Sequence, residues 1–479
     1  VWYLVGITVV ILYLVSLVIL PVIITQKKRP EAALAWVMLV IFVPFIGPFL
    51  YLVFGIERIK NRKLEKVLLS KAVRGKLQQI ETLWTPVKNK REEIGLSHDL
   101  ENIIRVCREF SLFDAVADNK IDIIVDANQA YSKMKEAILS ATHNINLDYF
   151  IFQPDTVGEQ FRSFLVQKAD QGVKVNLLYD AIGSRKLGRS REFIGSMRKA
   201  GVRVKDFLPL RTFIRPWYVN LRNHRKILIV DNTVAFMGSL NIGEEFLNTK
   251  KRRWRETSVM IQGPAVAQLQ WVFCEDWFTA TGEMLPFSEY FGSYKDAGEH
   301  IMQIVASGPD IREKAMQKAF FLTISTAKKS IYLTTPYFIP DEAMYLALQF
   351  AALRGLDVKI LVPHKSDHLL VLLAGRSYYD ELLMSGAEIY EYSAGILHAK
   401  MLIIDGQITI IGSANADMRS VRSSFEVNVQ VYGESFAKEA KQTFYADLKK
   451  SRRLTVSYLL RPARIRFVEN LLRLSSPLL

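Results

Sequence analysis

The sequence predicts an α/β protein: two similar halves sharing one active-site cleft, preceded by a hydrophobic helical membrane hairpin. Three observations point there. A polar pattern occurs twice with its internal spacings kept, β-branched apolar runs alternate with helical runs in the same order around each copy, and the first 55 residues hold two uncharged stretches.

Residues 1–25 contain no Asp, Glu, Lys, Arg or His and would reach roughly 37 Å as a helix, against about 30 Å for a bilayer core. No small-x-small cleavage pattern follows, so the stretch reads as a retained segment and not a removed signal. Residues 32–55 are again uncharged but are interrupted by Pro44, Gly47 and Pro48, which leaves a kinked span and a re-entrant segment both open. Residues 1–55 are thus expected to form two membrane segments. Residues 56–118 read as a basic juxtamembrane helical linker, because eight Lys and Arg stand against two Glu between Glu57 and Lys76. By the positive-inside rule the remainder lies in the cytoplasm, and the basic run suits contact with anionic lipid.

From about Asn119 the pattern becomes α/β. Residues 121–125, 145–152, 173–179 and 202–207 are strand-like and lead to the first copy of the pattern, with helical runs such as 161–171 between them. Residues 301–306, 331–338, 357–362 and 387–392 lead to the second copy. The expected halves are residues 119–300 and 301–479, the latter ending in a basic amphipathic tail.

The copies read NHRKILIVDNTVAFMGSLN at 223–241 and LHAKMLIIDGQITIIGSAN at 397–415. His224, Lys226, Asp231, Gly238, Ser239 and Asn241 recur as His398, Lys400, Asp405, Gly412, Ser413 and Asn415, each 174 residues later. An apolar run on either side of each Asp predicts a buried β-hairpin. Residues two apart on a strand share a face, so each imidazole projects with its ammonium. The Asp falls at the turn, where a carboxylate bonds local amides, and the returning strand brings Ser and Asn back towards the His. Imidazole, ammonium, hydroxyl and amide together suit a phosphoryl group.

The pattern H-x-K-x4-D-x6-G-S-x-N, present twice, resembles the phospholipase D superfamily. Its surroundings, RNHRKILIVD, SYYDELLMSGAEIYEYSAGILHAK and DMRS, together with ALAWVMLVIFVPFIGPFLYLVFG near the amino terminus, resemble the bacterial cardiolipin synthases over nearly the whole chain. The resemblance implies two phospholipase D-like halves and transfer of a phosphatidyl group from one phosphatidylglycerol to another through a covalent phosphatidyl-histidine. Such exchange requires a nucleophile on one side of phosphorus and an acid on the other, and each hairpin supplies one imidazole. His224 is assigned as nucleophile and His398 as acid/base, with the reverse left open. Lys226, Lys400, Asn241 and Asn415 would stabilise charge on the nonbridging oxygens, and Ser239 and Ser413 would bond the phosphate or a histidine. Ser239, Asn241, Ser413 and Asn415 are thus the expected substrate-binding set. Asp231 and Asp405 belong to the motif and are counted with the catalytic residues, although their place suits the turn. Glu256 in WRETSV and Glu426 in SFEVNV are expected to orient the opposing or the neighbouring His.

No metal or cofactor is expected. His364 and His368 are four apart but lack a third ligand, and GSRKLG at 183–188 lacks the ending of a phosphate-binding loop. Cys107 and Cys274 are too few for a disulfide framework. A formal charge of +15 with 50% apolar residues suits an anionic surface. The resemblance makes that partner an anionic phospholipid, phosphatidylglycerol, in the bacterial cytoplasmic membrane, with no nucleic acid expected and the oligomeric state open. The competing readings are a hydrolytic phospholipase D, in which water replaces the second lipid, and a membrane-tethered phosphodiesterase or nuclease. Residues 211–225 mix arginines with Phe213, Trp217 and Tyr218 as an interfacial surface would. Residues 461–474 alternate arginines with Ile465, Phe467, Leu471 and Leu472 at helical spacing, which fits either a cap on the second half or membrane contact.

Overall fold

The computed structural model describes residues 2–25, 30–44, 46–52, 96–111, 113–209, 221–249, 253–291, 296–308 and 314–476. The chain divides into two compact units, Val1–Leu68 with Leu210–Val219, and Leu69–Pro209 with Asn220–Leu479. The basic run at 57–76 and the aromatic stretch at 211–220 lie outside the described residues.

In the first unit Trp2–Thr25 and Pro30–Phe42 are helices, followed by the single turn Gly47–Leu50. The second helix stops short of Pro44, which cannot continue the hydrogen-bond ladder. A Cβ at Gly47 would stand 2.5 Å from the Leu39 carbonyl oxygen, so only glycine permits the chain to pass so close to its own helix. Ile19, Ile23, Val40 and Tyr51 form a small packed cluster, with the Trp36 and Tyr51 rings edge-on at 5.3 Å. Side chains of Trp2–Thr25 are described at Tyr3, Tyr13, Leu14 and from Ser16 onward, and among the described residues no helix is long and apolar enough to cross a membrane. The expected membrane hairpin therefore rests on the uncharged stretches of the sequence.

The second unit is built on strands β1 (Val116–Ile124), β2 (Asn144–Tyr149), β3 (Lys174–Asp180), β4 (Arg203–Phe207), β5 (Lys226–Val230), β6 (Val234–Gly238), β7 (Trp254–Arg255), β8 (Ser258–Gln262) and β9 (His300–Ser307). The later part adds β10 (Ser330–Thr334), β11 (Phe338–Ile339), β12 (Asp357–Pro363), β13 (Glu388–Tyr392), β14 (Ile396–Leu397), β15 (Met401–Ile404), β16 (Ile408–Gly412), β17 (Ala416–Asp417), β18 (Glu426–Tyr432) and β19 (Ser451–Arg453). Fifteen of them make one sheet, centred on an antiparallel contact of β1 with β9 that is bulged between Val116 and Asn119. Outward from that centre run β8, β6, β5, β2, β3 and β4 on one side and β18, β16, β15, β10, β12 and β13 on the other, where β19 adds an edge strand. The duplication in sequence is a pseudo-two-fold axis in space.

Helices cover both faces. Ile145, Leu147 and Tyr149 of β2 pack into one core with the helices Ala127–Ser140 and Thr156–Asp170, while Asn146 on the other face bonds Gln270 of the helix Ala265–Thr281 at 3.0 Å. In the second half Ile331 and Leu333 face the main core, and Tyr332 stacks on Phe444 of the helix Glu434–Leu448. Burial on both faces explains why β5 and β15 read as unbroken apolar runs. One boundary is corrected. The helix His98–Ser111, within the stretch expected as a linker, buries Leu100, Ile103, Ile104 and Cys107 in the second-half core. Its apolar residues recur at helical spacing, and that amphipathic face is what ties it to the catalytic unit.

The turns of the two hairpins hold Asp231 and Asn232 at φ 50° and 57°, and Asp405 and Gly406 at 55° and 67°. Asp and Asn tolerate this left-handed backbone better than other non-glycine residues. The Asp231 carboxylate accepts the amides of Thr142, His143 and Asn144 at 2.7 to 2.9 Å, and Asp405 accepts those of Lys328, Lys329 and Ser330 at 2.7 to 2.8 Å. Each motif Asp thus ties its turn to the start of the adjacent strand, β2 or β10. The motif glycines are required by close packing: a Cβ at Gly412 would lie 2.2 Å from Asn428 Oδ1 and 2.3 Å from the Val427 oxygen. Gly412→Ala is expected to destabilise the fold by roughly 3 kcal/mol or more, read as a lowered thermal unfolding midpoint. An unchanged midpoint would remove the steric account.

Candidate active site

His224 lies two residues before β5, and His398 lies between β14 and β15. Neither is oriented by its own half. Asn223 bridges Phe425 in parallel, with His224 N donating to the Phe425 oxygen at 2.9 Å, so the residue after Phe425, Glu426, comes beside the imidazole. His224 Nδ1 lies 3.1 Å from both Glu426 oxygens. The mirror arrangement pairs Leu397 of β14 with Arg255 of β7, and His398 Nδ1 lies 2.8 and 3.0 Å from the oxygens of Glu256. The two carboxylates cross over. With Nδ1 of each ring held by a carboxylate, Nε2 is the nitrogen left for chemistry.

Lys226 and Lys400 each donate from Nζ to the carbonyl of the histidine two residues earlier, both at 2.6 Å. The aromatic neighbours differ: Phe150 meets the His224 ring edge-on at 4.9 Å, and Trp254 meets the His398 ring at 5.6 Å. Asn241 accepts the Ile151 amide at 3.2 Å through Oδ1, whereas Asn415 donates to Asp417 at 3.0 Å through Nδ2. The serines bond neighbouring protein groups. Ser239 Oγ donates to the Thr257 carbonyl at 3.0 Å and accepts the Thr257 amide at 2.7 Å, and Ser413 Oγ donates to Glu426 at 2.5 Å while accepting the Val427 amide at 3.0 Å. Gly238 pairs with Ser258 and Gly412 with Asn428, so a side chain at the next position meets the neighbouring strand and not open cleft. Ser239 and Ser413, expected to bond the phosphate or a histidine, thus bond Thr257 and Glu426, the second of which holds His224. Asp231 and Asp405, counted with the catalytic set on motif membership, hold the turns with backbone amides.

Electrostatics join the two hairpins and distinguish them. Burial, then the charges of Lys226, Lys400 and His398, hold the His224 imidazole well below its ordinary range. Burial also holds His398 below its ordinary range, with Glu256 opposing the shift. Burial would raise Glu256, yet the charge and hydrogen bond of His398, with Lys400 and Ser239, bring it down to about 2. For Glu426 burial prevails over Lys226 and Ser413 and raises it to about 7. Burial takes Lys226 to about 7 and Lys400 to about 8. One histidine stands beside a full carboxylate, the other beside a carboxyl that is partly protonated at neutral pH.

Several contributors carry no signal in the spacing. Arg225, between His224 and Lys226, is buried; it pairs with Asp276 and donates to the Ser307 carbonyl at 3.0 Å and the Glu426 carbonyl at 3.2 Å, fastening the first hairpin to the second half. Tyr337 meets His398 at a ring separation of 6.4 Å and donates to Asp367 at 2.8 and 2.9 Å. Burial would raise Asp367, but the charges of His398 and His368 outweigh it and hold the carboxyl below its usual range. His364, four residues before His368, bonds Glu391 at 3.1 Å instead.

Residues 134–277 and 321–448 match the family described as cardiolipin synthase, PLD-like domain, and residues 9–55 match the phospholipase D-nuclease N-terminal family. The chain belongs to the cardiolipin synthase family of phospholipase D-like proteins. It is 37% identical over 464 residues to a cardiolipin synthase of Geobacillus sp. (strain WCH70), covering 95% of this chain and 90% of that one. With the major cardiolipin synthase of Bacillus subtilis (strain 168) it shares 36% identity, covering 98% of both. The crystal structure of a phosphatidylserine synthase from Haemophilus influenzae matches 79% of this chain and all of its own at a TM-score of 0.59 and 13% identity, a likeness of fold. The two family segments contain both motifs and both crossing glutamates.

Proposed function

We propose that the chain transfers a phosphatidyl group from one phosphatidylglycerol to the primary hydroxyl of a second, giving cardiolipin and glycerol. The observation that carries the reading is the crossed pairing of His224 with Glu426 and His398 with Glu256, in a chain of this family. His224 Nε2 attacks phosphorus while His398 gives its proton to the departing glycerol oxygen, forming phosphatidyl-His224. His398, now neutral, takes the proton of the incoming hydroxyl; that oxygen bonds to phosphorus and the P–N bond to His224 breaks. The asymmetry of the carboxyls supports this division. A histidine kept neutral has the lone pair a nucleophile needs, and one beside an ionised Glu better holds the proton an acid must give. Lys226, Lys400, Asn241 and Asn415 face the charge on the nonbridging oxygens, and Ser239 and Ser413 position the glutamates.

Purified protein incubated with phosphatidylglycerol is expected to yield cardiolipin and glycerol; phosphatidic acid without cardiolipin would make it a hydrolase. The lysines set a pH dependence. Raising pH through about 7 to 8 deprotonates Lys226 and then Lys400 in the free protein, so kcat/KM should fall across that interval. A profile flat to pH 9 would deny them this role. Asp367 has the chemistry to accept a hydroxyl of the glycerol group handled by His398. In headgroup exchange with soluble alcohols, Asp367→Asn is expected to lower the preference for glycerol over 1-propanol by about tenfold, with the 1-propanol rate kept. Equal loss of both rates would count against it.

For the amino terminus, the sequence supports an anchor. Trp2–Thr25 is 24 residues without a charged side chain, roughly 36 Å as a helix. The 13 residues of Pro30–Phe42 reach only about 20 Å, which supports the re-entrant form of the second segment; with both basic clusters then on one side, the positive-inside rule supports a cytoplasmic catalytic unit.

A further inference from the structure

The carboxy-terminal helix Ala463–Arg473 packs Leu472 against the second-half core but leaves most of its apolar side chains exposed. It lies against the helix Leu369–Arg376. Its inward side carries Glu469, 1% exposed, which accepts Arg461 at 2.7 and 2.8 Å while Arg461 also pairs with Asp380 at 2.5 Å. Its outward side carries Phe467, Leu471 and Leu474, exposed by 68%, 53% and 78%, at the spacing of one helical stripe. Leu460, 84% exposed, and the exposed Leu369 and Leu370 of the neighbouring helix extend the apolar surface. Arg464 and Arg466 are exposed on the same helix, and Glu469, already paired, is the one acidic residue between Val456 and Leu474. Leu369 follows His368, whose ring lies 5.7 Å from that of Tyr337, itself beside His398. The surface therefore borders the acid/base side of the site.

We propose that this face docks the catalytic unit on the surface of an anionic bilayer, with the helix lying in the headgroup layer. An apolar stripe flanked by arginines has the composition of an interfacial helix, and each arginine near an anionic surface strengthens binding roughly fivefold. A second copy of the chain fits less well, since a two-fold contact through this face would offer Arg464 and Arg466 no unpaired acid between residues 456 and 474 of the other copy. Docked this way, a lipid reaches the His398 side of the site without leaving the bilayer surface. The inference rests on the reading above for the lipid substrate, and its structural test does not need turnover.

The test uses the full chain in nanodiscs, with an environment-sensitive fluorophore on F467C. Spin-labelled lipid is expected to quench the label several-fold more in phosphatidylglycerol discs than in phosphatidylcholine discs. Quenching by aqueous iodide alone would overturn the proposal, as would energy transfer between labelled copies in detergent, the mark of a self-contact. In parallel, the triple variant F467S/L471S/L474S is expected to lower kcat/KM on bilayer phosphatidylglycerol about tenfold and to turn over monomeric dihexanoyl-phosphatidylglycerol within twofold of the unsubstituted chain. Equal loss on both substrates, or on neither, overturns it. If the unsubstituted chain turns over neither lipid, the functional reading fails while the quenching result stands.

Discussion

His224→Ala is expected to lower cardiolipin formation by on the order of 10^4-fold and to leave no phosphatidyl group on the chain. The ring is held by both oxygens of Glu426, and Nζ of Lys226 and of Lys400 is tied to a histidine carbonyl, which keeps either amine from the position of the lost imidazole. His398→Ala should be equally slow with phosphatidylglycerol but for a different reason: the nucleophile is intact and the glycerol oxygen lacks a proton donor. A donor whose leaving group needs no proton separates the two. With phosphatidyl-p-nitrophenol, His398→Ala is expected to release about one equivalent of p-nitrophenol in a burst, and His224→Ala none. A burst from His224→Ala and not from His398→Ala would exchange the roles. Sustained cardiolipin synthesis by both variants would remove the histidines from the chemistry.

What the sequence made legible was local. The six motif positions occupy one hairpin, so their spacing alone brings His224 and Lys226 to one face, and the runs at β5 and β15 announce burial on both sides. The repeated strand order likewise foretold two equivalent halves. The exchange of carboxylates between halves was not legible, because it depends on Asn223 meeting Phe425 and Leu397 meeting Arg255, contacts made across most of a domain with no periodic trace. Sequence reasoning left Glu256 and Glu426 to serve either histidine. The partners of the serines were not legible for a related reason: they follow from the register of β6 with β8 and β16 with β18, which no composition encodes. In the tail, the helical spacing of the apolar residues was evident, but which face turns inward was decided by the burial of Glu469 with Arg461, a polar contact that periodicity would have assigned to solvent.

The crossing carboxylates should also respond unequally to loss of charge. Glu256, brought down to about 2, is ionised from pH 6 to 8.5, so Glu256→Gln removes a full charge from behind His398 and is expected to lower kcat by roughly 10^2 to 10^4-fold already at pH 6. Glu426, raised to about 7, is largely protonated at pH 6. Glu426→Gln should then resemble the unsubstituted chain at pH 6, with a defect growing as pH rises through 7. Stability follows the same signs. A carboxyl whose folded pKa is lowered stabilises the fold above its ordinary value of 4.5, and that contribution disappears as acid brings the pH towards 2. One whose folded pKa is raised destabilises it increasingly as pH climbs from 4.5 through 7, so Glu426→Gln should raise the unfolding midpoint at pH 8 relative to pH 5, and Glu256→Gln should lower it at both. Rate ratios and unfolding midpoints at those pH values measure this directly. Equal, pH-independent defects in the two variants would mean that the pairs are equivalent and that the division of labour between His224 and His398 has some other origin.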